Sequence, residues 1–231
     1  MAGHRDDYTI CVKPIINCGA GAVDLRVTCI CWSGSAGNRG GRMQAGGMEL
    51  QITEQLSLRP FRPADRHNLT AAINDWSVTR WLSSVPHPYR IDHADAYLAR
   101  PEHKLCESAM QDASATLALA ICVFDDLVGG LSLVPSARRQ GAREFGFWLA
   151  RPAWGQRIMP AAVQTVIEAV RRHAPETEFV ASANHDNLRS QRLIVSLGFV
   201  QDGQEEIGSA PLQRPVTIDC FHLPVAQLPQ P

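Results

Sequence analysis

At 231 residues, 45% apolar and 19% charged, the chain has the balance of an ordinary globular protein, with room for one domain and additional segments. A net charge of −1 gives no electrostatic drive toward nucleic acid or a membrane surface, and neither is expected as a partner. Apolar runs such as 116–124 fall far short of a membrane span, and no basic region leads into an apolar stretch at the start. The seven cysteines form neither a CxxC pair nor a zinc-ligand cluster, so reduced thiols, no metal and a cytoplasmic location are expected.

Residues 1–47 mix Gly, Cys, Arg and Ala without helical or strand period and end in the Gly-rich run 33–42. Such a stretch has little to pack against its chain entropy. It reads as a disordered tail or as an over-extended gene start with Met43 or Met48 as initiator, and the second is preferred. The folded domain is expected over 48–226, with 227–231 as a tail. Leu56 to Phe61 alternates as a strand. Pro63-Ala-Asp65 opens a helix with Leu69, Ala72, Ile73 and Trp76 at helical spacing. A short helix from Ser77 to Leu82 and a two-proline loop at Val85 to Tyr89 come next. Asp92 is read as the cap of a helix through Ala94, Tyr97 and Leu98.

Thr116 to Phe124 and Leu127 to Val134 read as a hairpin about an Asp125-Asp126 turn. A polar connection at Ser136 to Gly141 leads to a strand at Glu144 to Ala150. Val163, Val166, Ile167 and Val170 make one stripe of a helix from Pro160 to His173, whose C-terminal Arg171, Arg172 and His173 suit the helix dipole. A strand from Glu178 to Ala183 precedes a helix from Asn187 to Leu197, capped by Asp186 or Asn187 and ended by Gly198. Strands from Phe199 and from Val216 to Leu223 close the domain. The order predicts an α+β fold with a mixed, mostly antiparallel central sheet flanked by helices.

The turn between the Glu144 strand and the long helix offers free backbone N–H groups and a helix N-terminus, the chemistry of an anion site. Gly155 permits close backbone approach, and Gln156 and Arg157 add donors; an ordinary strand-to-helix connection explains the same residues. Asn187 is a natural N-cap, and Ser190 can bond to backbone in the first turn.

Several pieces together resemble the GNAT acetyltransferases, in particular their ribosomal-protein N-acetyltransferase (RimJ/RimL-like) branch. These are Leu56-Ser-Leu-Arg-Pro-Phe61 with Pro63-Ala-Asp65, Pro86-His-Pro-Tyr89, Glu144-Phe-Gly-Phe-Trp-Leu149, Trp154-Gly-Gln156, and Asn187-x-x-Ser190 with Leu197-Gly-Phe199, in family order. The resemblance implies acetyl-CoA as co-substrate and a primary amine, on a protein N-terminus or a small molecule, as acceptor, and it leaves a homodimer open. It implies that the strand end at Trp148, Leu149 and Ala150 splays to pair with the pantetheine arm. Backbone N–H groups from Gly155 through Gln156, Arg157, Ile158 and Met159 would hold the pyrophosphate, with Trp154 beside them. Asn187 would bond the pantetheine, Ser190 would lie near the thioester sulfur, and Glu144 would act as general base. A backbone N–H near Leu149 would meet the oxyanion, and His87 and Tyr89 would line the acceptor site.

Three departures bear on activity. Arg157 stands where relatives carry glycine, Met159 where a small residue is common, and Ile194 where many carry a tyrosine that protonates the thiolate. Arg157 is expected either to block phosphate approach, at about 1–2 kcal/mol if φ is positive, or to sit in helical geometry and grip a phosphate. The alternative function is a non-catalytic GNAT fold that binds acyl-CoA or a protein. Trp76 and Trp81 are read as core, His173 as a helix-end cation and His185 as a surface turn residue near the site.

Overall fold

The structure, a computed structural model, describes residues 49–100 and 107–225, and the expectations for 1–47 and 227–231 lie outside them. The described strands are β1 (Leu50–Gln51), β2 (Leu56–Pro60), β3 (Leu117–Val123), β4 (Asp126–Pro135), β5 (Arg143–Leu149), β6 (Phe179–Asn184), β7 (Val200–Ser209) and β8 (Arg214–Leu223). They form one sheet in the order β1-β2-β3-β4-β5-β6-β8-β7. Neighbours pair antiparallel throughout except β5 and β6, which run parallel. This is the mixed, mostly antiparallel sheet the sequence predicts. No helix among the described residues is long and apolar enough to cross a membrane.

The helices are α1 (Arg66–Asn74), α2 (Trp76–Thr79), α3 (Ile91–Leu98), α4 (Glu107–Gln111), α5 (Ile158–His173) and α6 (Leu188–Ser196). Strand β3 shows how the layers are built. Its Leu117, Leu119, Ile121 and Val123 join the core that holds α5, while Ala120 and Cys122 join the cluster beneath α1 and α3. Burial on both faces is why β3 reads as an unbroken apolar run. Helix α5 buries the stripe read from its period, Val163, Val166 and Val170 at 1% exposure or less and Ile167 at 8%.

Several local readings change. Val123 pairs with Asp126, so the hairpin loop is Phe124-Asp125, one residue earlier than read; both take positive φ, 51° and 69°. A two-residue loop with both φ positive matches strand twist, and that geometry outranks the weak composition signal. Asp92 lies in the first turn of α3, whose N-cap is Arg90; the Asp92 carboxylate pairs with Arg90 instead, 2.8 Å away. Trp76 is 43% exposed, against His87, so it is not core. Strand β1 and helix α4 were not read from the sequence at all, because two and five residues carry too little period.

A buried ion pair ties β2 to the start of α1. Arg59 Nη1 and Nη2 donate to the two Asp65 carboxylate oxygens, each at 2.9 Å, and Arg59 Nε donates to Asp125 Oδ1 at 3.0 Å. The Arg59 guanidinium is raised further above its ordinary value: burial opposes the charge, but the Asp65 hydrogen bonds and the Asp65 and Asp125 carboxylates outweigh it.

Candidate functional site

The parallel junction is short. Strands β5 and β6 pair only at Arg143↔Phe179, Glu144↔Val180 and Phe145↔Ala181. Strand β5 then stays on β4 as far as Leu149, and β6 stays on β8 as far as Asn184, so the two diverge. Their parting leaves backbone groups unpaired, and alternation decides which. Arg143 N–H donates to Glu178 O on the β6 side, and Ala150 N–H donates to Val128 O on the β4 side, both at 2.9 Å. Backbone groups alternate along a strand. Phe147 and Leu149 therefore direct theirs into the opening, whereas those of Trp148 and Ala150 face β4. This corrects the expectation for Trp148 and Ala150 and adds Phe147, whose side follows once the β4–β5 register is known. Leu149 O is already engaged by the Trp154 indole N–H at 2.8 Å, which leaves Leu149 N–H as its open group.

The turn into α5 departs from expectation at two residues. Gln156 does not reach outward; its Nε2 donates to Pro152 O at 2.9 Å and braces the loop. Arg157 caps α5 with φ 58° and ψ 16°, the left-handed conformation, and Gly155 has φ 78°. The helical alternative for Arg157 is overturned: arginine occupies the geometry a glycine would take, at about 1–2 kcal/mol. The N–H groups of Ile158 and Met159 lie in the first turn of the helix, while their side chains are buried. Only their backbone can serve an anion. Replacing Arg157 by glycine should relieve strain in excess of glycine's own chain entropy and raise the melting temperature by about 2 °C.

Asn187 is the N-cap of α6, its Oδ1 accepting Ser190 N–H at 3.2 Å, so its amide NH2 is the half open to a ligand. Two cavities flank this point. One, of about 370 Å³, runs past Leu149, Trp154, Met159, Arg189 and Leu193. Arg189 stacks on the Trp154 ring at 4.4 Å, so this wall is joined across the opening. The other, of about 480 Å³, lies toward α1 and α3 and includes Glu144 and Ser182. Both are lined by Trp81, Leu82, Phe147, Trp148, Asn187 and Ser190. They meet where the strands part. Trp81, read as core, is thus a cavity wall.

Glu144 lines the larger cavity. Its Oε1 accepts from Arg138 Nη2 at 3.2 Å and Ser182 Oγ at 3.1 Å, and Oε2 is left for another donor. Tyr89 lines this cavity, and burial raises its phenol above the ordinary tyrosine value. His87 is exposed against Trp76 and lines neither cavity, contrary to expectation, because the loop turns its ring outward. Ile194 is 1% exposed in the main core, so the position of the missing tyrosine faces inward here. His185 is held by buried Asp219 at 3.0 Å and lines neither cavity. Among the described residues, no group of three or more His, Cys, Asp or Glu is arranged to hold a metal ion.

Residues 55–200 match a family model described as an acetyltransferase (GNAT) domain. A search of curated proteins finds no significant match. Solved structures share the fold at low identity. The microcin C7 self-immunity acetyltransferase MccE, in complex with acetyl-CoA and AMP, is 16% identical with a TM-score of 0.60, covering 78% of this chain and 96% of its own. An acetyl transferase from Salmonella typhimurium, which modifies the N-terminal serine of ribosomal protein L7/L12, is 16% identical with a TM-score of 0.58, covering 75% and 97%. Spermidine N-acetyltransferase from Vibrio cholerae, in complex with CoA and spermine, is 13% identical with a TM-score of 0.57, covering 74% and 96%.

Proposed function

The chain belongs to the GNAT acetyltransferase family, and from that membership we propose that it transfers an acetyl group from acetyl-CoA to a primary amine, within the RimJ/RimL-like branch and through a unit spanning 48–226. The observation that carries this reading is the parting of β5 and β6 beside two cavities that meet at Asn187 and Ser190. In this reading the smaller cavity takes the pantetheine arm, with Asn187 donating from its amide and Phe147 and Leu149 offering backbone groups. The backbone N–H groups of Ile158 and Met159 take the pyrophosphate.

Glu144 Oε2 accepts a proton from the acceptor ammonium, directly or through one water. The freed nitrogen forms a bond to the thioester carbon as the carbon–sulfur bond breaks. Leu149 N–H donates to the carbonyl oxygen as it gains charge. The Ser190 hydroxyl, in the place of the absent tyrosine, donates toward the departing sulfur. No covalent enzyme intermediate is involved.

Calorimetric titration with acetyl-CoA, followed by an assay of CoA release with amines, tests the reading. One binding site and amine-dependent release are expected, and Asn187→Ala should weaken binding about 10-fold. No heat at millimolar acetyl-CoA would remove it. Heat without release across amines and peptides would favour the non-catalytic binder.

A further inference from the structure

The acceptor cavity carries information about its occupant. We propose that the acceptor is a small primary amine bearing one positive charge on an apolar or aromatic body; this names the substrate class of the acetyl-transfer site and rests on that reading.

Charge is the first argument. Among the described residues that line the 480 Å³ cavity, Glu144 is the one with a formal charge. Arg138 and Ser182 both bond its Oε1, so Oε2 remains for one ammonium. A polyamine would bring further ammonium groups into a space with no carboxylate to meet them, and a buried unpaired charge is strongly disfavoured. An acidic acceptor would find no cation.

The walls are the second argument. Leu69, Ile73, Trp81, Tyr89, Trp148 and Ile207 contribute apolar and aromatic surface from four separate parts of the chain. A volume near 480 Å³ suits a small molecule. Apolar walls of this kind bind by area removed from water, about 4-fold per methylene group.

The third argument is the roof. Ala210 N–H, in the turn between β7 and β8, donates to Ser83 O at 2.7 Å. Ser83 and Ile207 both line the cavity, so the hairpin and the segment after α2 are tied together across it. An extended polypeptide would have to pass beneath this bridge, whereas a small amine need not.

The test uses the full chain with saturating acetyl-CoA and measures kcat/KM by CoA release. The acceptors are n-alkylamines from propylamine to hexylamine, 2-phenylethylamine, spermidine, and a hexapeptide with a free N-terminal serine. We expect a rise of about 4-fold per methylene along the alkylamines. Phenylethylamine should exceed both spermidine and the peptide by at least about 10-fold. Spermidine or peptide turnover equal to or above that of phenylethylamine overturns the acceptor class and leaves acetyl transfer standing. Acetyl-CoA binding with no acceptor turned over also overturns it and leaves the acetyl-CoA site intact. No binding and no turnover removes the parent reading as well. A second variant, Ile207→Glu at a half-buried position of the largely exposed strand β7, adds a carboxylate to the cavity and should raise the spermidine-to-phenylethylamine ratio of kcat/KM at least about 10-fold. An unchanged ratio would overturn the proposal that the charge of this cavity selects a singly charged acceptor.

Discussion

Replacing Asp65 by alanine will destabilise the protein by about 3 kcal/mol, seen as a lower urea midpoint and a melting temperature reduced by about 6–12 °C. Arg59 and Asp65 are 2% and 5% exposed and share two hydrogen bonds of 2.9 Å. Asp65 also accepts Arg62 N–H at 2.7 Å, holding the turn that leads into α1. Removing the carboxylate leaves a buried guanidinium without its main partner. Loss of one member of such a pair costs about 3–5 kcal/mol, and Asp125, which still accepts from Arg59 Nε and Nη2, keeps the effect at the lower end. The double change Arg59→Met with Asp65→Ala should recover most of the loss, because no buried charge remains. A single-variant loss below about 1 kcal/mol would mean that water or Asp125 already satisfies Arg59.

Glu144→Gln should lower kcat by about 10²- to 10⁴-fold and leave the acetyl-CoA dissociation constant within about 2-fold. The amide keeps the shape of the carboxylate and can still accept from Ser182, but it cannot take the acceptor's proton. Arg138 keeps an ionic neighbour in Glu205, 4.0 Å away, so the surrounding charges hold. The variant must rely on amine that is already neutral. Its residual rate should therefore climb about 10-fold per pH unit below the amine pKa of about 10, more steeply than the wild type. Equal kcat across that range would remove Glu144 as the base.

Sequence reasoning reached the frame of this molecule because the frame is written in periods. The run through β3 and the stripe on α5 each state which faces are covered, and the structure covers them. Conformation at single residues was less accessible. Arg157 stood out as the wrong residue type for its turn, yet residue type does not report φ, and the left-handed geometry comes from the loop that Gln156 and Gly155 shape around it. Parity was hidden for a related reason. Whether Phe147 or Trp148 opens between the strands depends on the β4–β5 register, which is set across the connection at 136–142, a polar stretch whose composition does not report its geometry. The larger cavity was least legible. Its walls come from α1, the segment after α2, β5 and β7, and no local pattern announces that Ile207 and Trp81 share a surface. Arg59 and Asp65 lie six residues apart across a proline turn, and the motif that contains them does not reveal that both are buried.

The short β5–β6 junction has a mechanical consequence. Three register pairs at one end weld a five-strand plate to a three-strand plate, and beyond them the plates share no rungs. Beyond that weld the angle between the plates rests on side-chain packing, the Arg189–Trp154 stack included, and a ligand seated in the wedge would add to it. Ligand affinity and sheet rigidity are coupled quantities in such a design: an arm that bridges Phe147 and Asn187 also stiffens the molecule, and a substitution that splays or clamps the weld changes affinity without touching the ligand.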